Sequence, residues 1–187
     1  MCSITMNNIE LDNLYMRIAL VNGMRSVENF KVGVCVVDPN GKVIAMGHNS
    51  ILLPNLHKTL VQNNNDYAVR YLTIELGIET ALNDSNVDYK GSTVYATTYP
   101  TAYCAKEMVK KKIKRVVFYN DVRTDFHDNY YASTTSILQE GDVEISFFEA
   151  QDDRHPDYTE NNDTKAIRLA ANLVNLKEYT TYLIRRI

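Results

Sequence analysis

The stretch from Thr73 to Cys104 constrains this chain most, because it holds a helix, a strand and a proline turn in close succession. Tyr71, Ile74, Ile78, Ala81 and Leu82 recur at helical spacing, which predicts a helix over residues 67–82. The run Ser92-Thr93-Val94-Tyr95-Ala96-Thr97-Thr98 is rich in β-branched and aromatic residues and reads as a strand. Pro100 follows it, and a second helix is expected over residues 102–112, then a strand over 116–120. Two strands at this spacing with a helix between them predict a parallel pair joined by a right-handed crossover. Glu75 lies on the same helix side as Leu72 and Glu79. Cys104 stands in the first turn of the second helix, where the dipole favours a reactive thiolate. Burial as a small hydrophobe is the favoured reading for a lone cysteine.

The flanking segments read as ordinary parts of an α/β domain. Leu11, Leu14, Tyr15, Ile18 and Val21 share one face of a helix expected over residues 9–25. Arg25-Ser26 closes that helix, and Arg25 is either a cation favoured by the helix C-terminus or a ligand contact. Residues 31–37 and 42–48 read as strands around Asp38-Pro39-Asn40-Gly41, where proline presets φ and Asn-Gly tolerates positive φ. Residues 51–66 form an irregular loop. A further helix over 129–139, a stop at Gly141 and a fifth strand over 143–148 complete the pattern. A domain over 1–150 is thus followed by a charged linker from residue 151 and an amphipathic helix over 164–187. That helix carries Ile167, Ala170, Val174, Tyr179 and Leu183. Its apolar stripe requires cover, from its own domain or from a partner.

Thr73-Ile74-Glu75 and Pro100-Thr101-Ala102-Tyr103-Cys104 are similar to the signature of zinc-dependent nucleobase deaminases, His-x-Glu followed by Pro-Cys-x-x-Cys. The wider chain resembles the deoxycytidylate (dCMP) deaminase family. Val32 to Asp38 resembles the family's Val-Gly-Ala-x-Ile-Val-Asp strand, and Gly47-His48-Asn49-Ser50 its Gly-Tyr-Asn-Gly. Ile113 to Tyr119 resembles its Gly-Ile-Lys-x-Val-Val-Tyr strand entry, and Phe126-His127-Asp128 a Tyr-His-Asp-like segment near the nucleotide phosphate. The resemblance covers roughly residues 11–148. It implies an α/β fold in three α/β/α layers around a five-stranded mixed sheet. It also implies Glu75 at the general acid/base position, Asn49 at the nucleotide site, and Arg123 and His127 as phosphate contacts.

Two of the three ligand positions differ from the family's pattern. Thr73 stands in place of the histidine and Thr101 in place of the first cysteine, which leaves Cys104. A catalytic zinc uses three protein ligands and keeps a fourth position for water. A neutral threonine hydroxyl is a poor ligand beside imidazole or thiolate. The expectation is therefore that zinc, the family's cofactor, is lost and no cofactor is held. The chain then reads as a catalytically inactive pseudoenzyme with Glu75 vestigial, serving as a binding, scaffold or regulatory subunit. Its expected partners are further copies in a homo-oligomer, another deaminase-like chain or an unrelated protein in a hetero-oligomer, or a nucleotide. A first alternative is an active dCMP deaminase with a non-standard metal site built from His48, His57 or His127. A second is a nucleic-acid-binding module using Lys110 to Arg115, a run that reads equally as a helix end and strand entry.

Composition narrows these classes. The 187 residues carry a net charge of −3, which gives no global basic field for nucleic acid or an anionic membrane. The three cysteines have no framework spacing, which points to a reducing compartment. The N-terminus lacks a signal-peptide pattern and no apolar run spans a bilayer. The expectation is an intracellular protein, cytoplasmic or nuclear, without a membrane partner.

Overall fold

The computed structural model describes residues 8–28, 30–50, 66–120 and 128–148. They form α1 (Asn8–Gly23), β1 (Gly33–Val37), β2 (Val43–His48), α2 (Asp66–Leu82), β3 (Thr93–Thr98), α3 (Ala102–Lys110), β4 (Arg115–Asn120), α4 (Asp128–Glu140) and β5 (Glu144–Phe147). The linker and helix expected beyond residue 150 lie outside the described residues, as do His57, Arg123 and His127.

The five strands make one mixed sheet in the order β2-β1-β3-β4-β5. β1 pairs antiparallel with both β2 and β3, whereas β3, β4 and β5 run parallel. The β1–β2 hairpin turns at Gly41, whose φ of 83° is the left-handed value that glycine adopts without a Cβ penalty. Asp38 holds the turn by accepting the N–H groups of Asn40 at 2.9 Å and Lys42 at 2.8 Å.

Alternation along the strands sorts residues to two faces. Val34 and Val36 of β1, Val94 and Ala96 of β3 and Val116 of β4 meet Ile74 and Ile78 of α2, Met108 of α3 and Leu138 of α4. On the opposite face Cys35, Val37, Tyr95 and Val117 meet Tyr15, Met16 and Ala19 of α1. The described residues therefore form three layers, α/β/α. Met16, Ile78, Met108 and Leu138 are fully buried, each stabilising the fold by about 1.5–3 kcal/mol relative to exposure. Two glycines permit the close approach of helix and strand. A Cβ on Gly33 would lie 1.9 Å from the Ala19 carbonyl oxygen. One on Gly47 would lie 2.5 Å from both the Gly77 carbonyl oxygen and the Ala81 nitrogen.

A charged network fastens α1 to the sheet. Arg115 donates to both carboxylate oxygens of Asp12 at 2.8 Å, a bidentate pair. The Tyr95 hydroxyl donates to the same carboxylate at 2.8 Å, and Arg115 Nε reaches Glu144 Oε1 and Ser146 Oγ at 3.1 Å.

Element ends differ from the sequence expectation by one or two residues, for visible reasons. α1 stops at Gly23 rather than residue 25, where the chain must pass Gly33. β1 begins at Gly33 rather than 31, because Val32 N–H bonds to Asn49 Oδ1 at 2.7 Å and Gly33 N–H to Thr97 Oγ1 at 3.0 Å. α3 ends at Lys110, since Lys112 turns left-handed with φ 57° and Ile113 N–H bonds back to the Met108 carbonyl at 3.0 Å. That closure is the usual way a helix satisfies its last carbonyls.

Candidate functional site

α2, the end of β3 and the start of α3 bring Glu75, Thr101 and Cys104 together. Pro100 ends the strand segment and is buried. The preceding Tyr99 is anchored by its hydroxyl to Thr135 Oγ1 at 2.8 Å and edge-on to the Phe118 ring at 4.8 Å. This fixes where α3 begins. Thr101 is the N-cap of α3, with extended φ −78° and ψ 166°, and its Oγ1 accepts the Cys104 N–H at 3.2 Å. A threonine in that place satisfies one of the orphan donors of the helix N-terminus. Its carbonyl accepts the Ala105 N–H at 2.9 Å.

The Thr101 hydroxyl proton has two acceptors in reach, Glu75 Oε1 at 3.1 Å and Cys104 Sγ at 3.2 Å. Thr101 and Cys104 are 1% exposed and Thr73 is 4% exposed, so these positions lie in the interior. Glu75 is half-buried. Burial pushes its carboxyl above the usual range, the Thr101 bond offsets part of that rise, and Glu79 adds to it. Cys104 is pushed up to about 12 by burial, against the lowering effect of its Thr101 contacts. Cys104 is buried, as the favoured reading of a lone cysteine has it, and desolvation opposes the thiolate that the helix dipole favours.

Asn49 is fully buried, and its side chain serves the backbone. Its Oδ1 accepts the Val32 N–H at 2.7 Å and its Nδ2 donates to the Phe30 carbonyl at 2.9 Å. His48 is half-buried at the end of β2, with its pKa lowered by burial and by Arg25. Arg25 is exposed beyond the end of α1 and donates to Asn22 Oδ1 at 3.4 Å. The basic run is divided by the fold. Lys110, Lys112 and Lys114 are exposed, Lys111 Nζ lies 4.8 Å from the centre of the Tyr89 ring, and Arg115 turns inward to Asp12. A cleft between α2 and α3 reaches Cys104 and is lined by Ile78, Leu82, Tyr103 and Glu107 among others. Its volume of about 80 Å³ is small beside the roughly 300–1,000 Å³ of ligand pockets.

Among the described residues, no group of three or more His, Cys, Asp or Glu side chains is placed to hold a metal ion. The family model for the cytidine and deoxycytidylate deaminase zinc-binding region matches residues 9–120. The chain belongs to this deaminase family. Human deoxycytidylate deaminase is 26% identical over 138 residues, spanning 70% of this chain and 74% of its own length. The mouse protein of the same name is 25% identical over 138 residues, with the same coverage. Among solved structures, the apo dCMP deaminase of cyanophage S-TIM5 superposes with a TM-score of 0.54 at 21% identity, covering 76% of this chain and 99% of that one. The RibD protein of Acinetobacter baumannii gives 0.54 at 19% identity, over 75% of this chain and 35% of that one. Both likenesses are of fold. The cytidine deaminase-like architecture expected from the sequence is the one observed.

The family's zinc can be tested against the donor set. At its ligand positions this chain presents the hydroxyls of Thr73 and Thr101 and the thiol of Cys104. Thr101 Oγ1 is engaged with a helix N-terminus and with Glu75, and a neutral threonine hydroxyl is a poor zinc ligand beside imidazole or thiolate. These residues do not fit a catalytic zinc. The role of Thr101 as a cap and as a donor to Glu75 went unread in the sequence. Its signal was a threonine standing immediately before a helix.

Proposed function

We propose that this chain is a deaminase-family protein that does not carry out zinc-dependent deamination and acts as a binding, scaffold or regulatory subunit. One observation carries the reading. The atom that replaces the family's first cysteine donor, Thr101 Oγ1, is a neutral hydroxyl that caps α3 and lies within hydrogen-bond reach of Glu75, in place of a thiolate offered to a metal. Bound zinc would supply an activated water by lowering its pKa to about 7. Glu75 without that water has no hydroxide to direct at a pyrimidine ring. It keeps the place of a general acid/base and is vestigial in this reading.

The proposed partners are other copies of the chain, a second deaminase-like chain, an unrelated protein or a nucleotide. The cyanophage relative is described in complex with dCMP and dUMP, which makes dCMP the natural probe. The test is metal content of the purified, untagged protein, paired with a dCMP deamination assay in added zinc. The expected outcome is less than one tenth of a zinc per chain and no turnover. About one zinc per chain with conversion of dCMP to dUMP would refute the proposal and direct mutagenesis to His48, His57 and His127.

A further inference from the structure

Replacing a metal donor by any residue that fits the space would leave the start of α3 without the tie that a metal provides. Thr101 supplies one. Its single hydroxyl oxygen accepts the Cys104 N–H at 3.2 Å, and its proton has Glu75 Oε1 on α2 in reach at 3.1 Å as well as Cys104 Sγ at 3.2 Å. The oxygen thus joins the N-terminus of one helix to a side chain of another, 26 residues earlier in the chain. The surroundings are dry, with Thr101 and Cys104 each 1% exposed. A buried polar group that loses its partner costs more than an ordinary hydrogen bond contributes. Both functions of the hydroxyl therefore matter at this position. Serine reproduces both. Aspartate reproduces the cap alone, because it accepts the helix N–H but turns a second carboxylate toward Glu75.

We infer that Thr101 is a metal-free clasp, in which one hydroxyl caps α3 and fastens it to Glu75 of α2 where relatives with the full signature would place a zinc ligand. The clasp rests on the proposal that the chain holds no zinc, and names what does the fastening instead. It makes Thr101 a residue the fold requires, so that restoring the family's cysteine in the metal-free protein is a loss. Sulfur is a weaker acceptor for the helix N–H and a weaker donor to the carboxylate.

The test is thermal unfolding of the full chain and of Thr101→Ser, Thr101→Asp, Thr101→Cys and Thr101→Ala, each with and without a chelator, alongside zinc content. Thr101→Ser is expected to melt within about 2 °C of the parent, and Thr101→Ala about 4–10 °C lower. Thr101→Asp should melt clearly below Thr101→Ser at neutral pH and recover on Glu75→Gln, which removes the opposing carboxylate. A purely capping role would leave Thr101→Asp as stable as Thr101→Ser, and that result would overturn the clasp. So would an unchanged melting temperature in Thr101→Ala. Should Thr101→Ala fail to fold, the Ser and Asp pair still decides the matter. A parent protein that contains zinc and loses stability to the chelator would instead overturn the metal-free reading itself.

Discussion

Asp12→Asn is the perturbation whose cost can be worked most directly from the structure. The carboxylate accepts two bonds from Arg115 and one from Tyr95, all at 2.8 Å, and so links α1 to β3 and β4. The amide has nearly the same shape, but it removes the charge and points an N–H₂ at a guanidinium or a hydroxyl. Breaking a fully buried pair costs about 3–5 kcal/mol, whereas an exposed pair contributes about 0–1 kcal/mol. Here the Arg115 and Asp12 side chains are 23% and 16% exposed, and Arg115 keeps its Nε contacts to Glu144 and Ser146. The cost should therefore be intermediate, about 2–3 kcal/mol. Urea denaturation of the parent, Asp12→Asn, Arg115→Met and the double variant measures it. The expected coupling between the two positions is at least about 1.5 kcal/mol. Additivity within about 0.5 kcal/mol would refute the reasoning. It would also return Arg115 to the pool of cations that a polyanion could meet, reviving the nucleic-acid reading of residues 110–115.

Two further outcomes follow from single residues. Lys112 holds φ 57° at the end of α3, which costs a non-glycine residue about 1–2 kcal/mol. Glycine gives back about 0.4–1 kcal/mol through its freer unfolded chain, so Lys112→Gly should stabilise by about 0.5–1 kcal/mol in the same urea assay; a loss of stability would contradict the strain. Glu75 has a raised folded-state pKa, caused first by burial. Its contribution to stability is complete below the ordinary carboxylate value of about 4.3 and is lost as pH rises through the higher folded value. Glu75→Gln keeps an acceptor for Thr101 and removes the titration. Its melting temperature relative to the parent should therefore rise between about pH 4 and pH 8, and an offset that is flat or falls with pH would count against this.

The sequence was legible where local chemistry speaks. Asp38-Pro39-Asn40-Gly41 specified the hairpin, because proline and an αL glycine leave few other turns. The β-branched and aromatic run Ser92 to Thr98 and the helix after Pro100 specified the β3–α3–β4 unit, and the parallel pairing of β3 with β4 follows from it. The places of Glu75, Thr101 and Cys104 in those elements could be read from spacing, as could the mismatch between two threonines and zinc. Element ends were less legible, because long-range contacts set them. α1 ends where Gly33 crosses it, and β1 begins where Asn49 stops replacing the ladder.

What the sequence alone determined was the set of donors: two hydroxyls and a thiol cannot do what an imidazole and two thiolates do, wherever the chain places them. What only the tertiary structure decided was how those groups are used. The pKa of Cys104 depends on whether water reaches it, and the packing of α3 against the sheet excludes water at a site where the helix dipole alone would favour the thiolate. Thr101 meets Glu75 only because α2 and α3 lie side by side on one face of the sheet. Arg115 turns from a basic run to Asp12 only because β4 runs beneath α1. Each is a contact between residues far apart in sequence, set by desolvation and geometry rather than by local residue pattern.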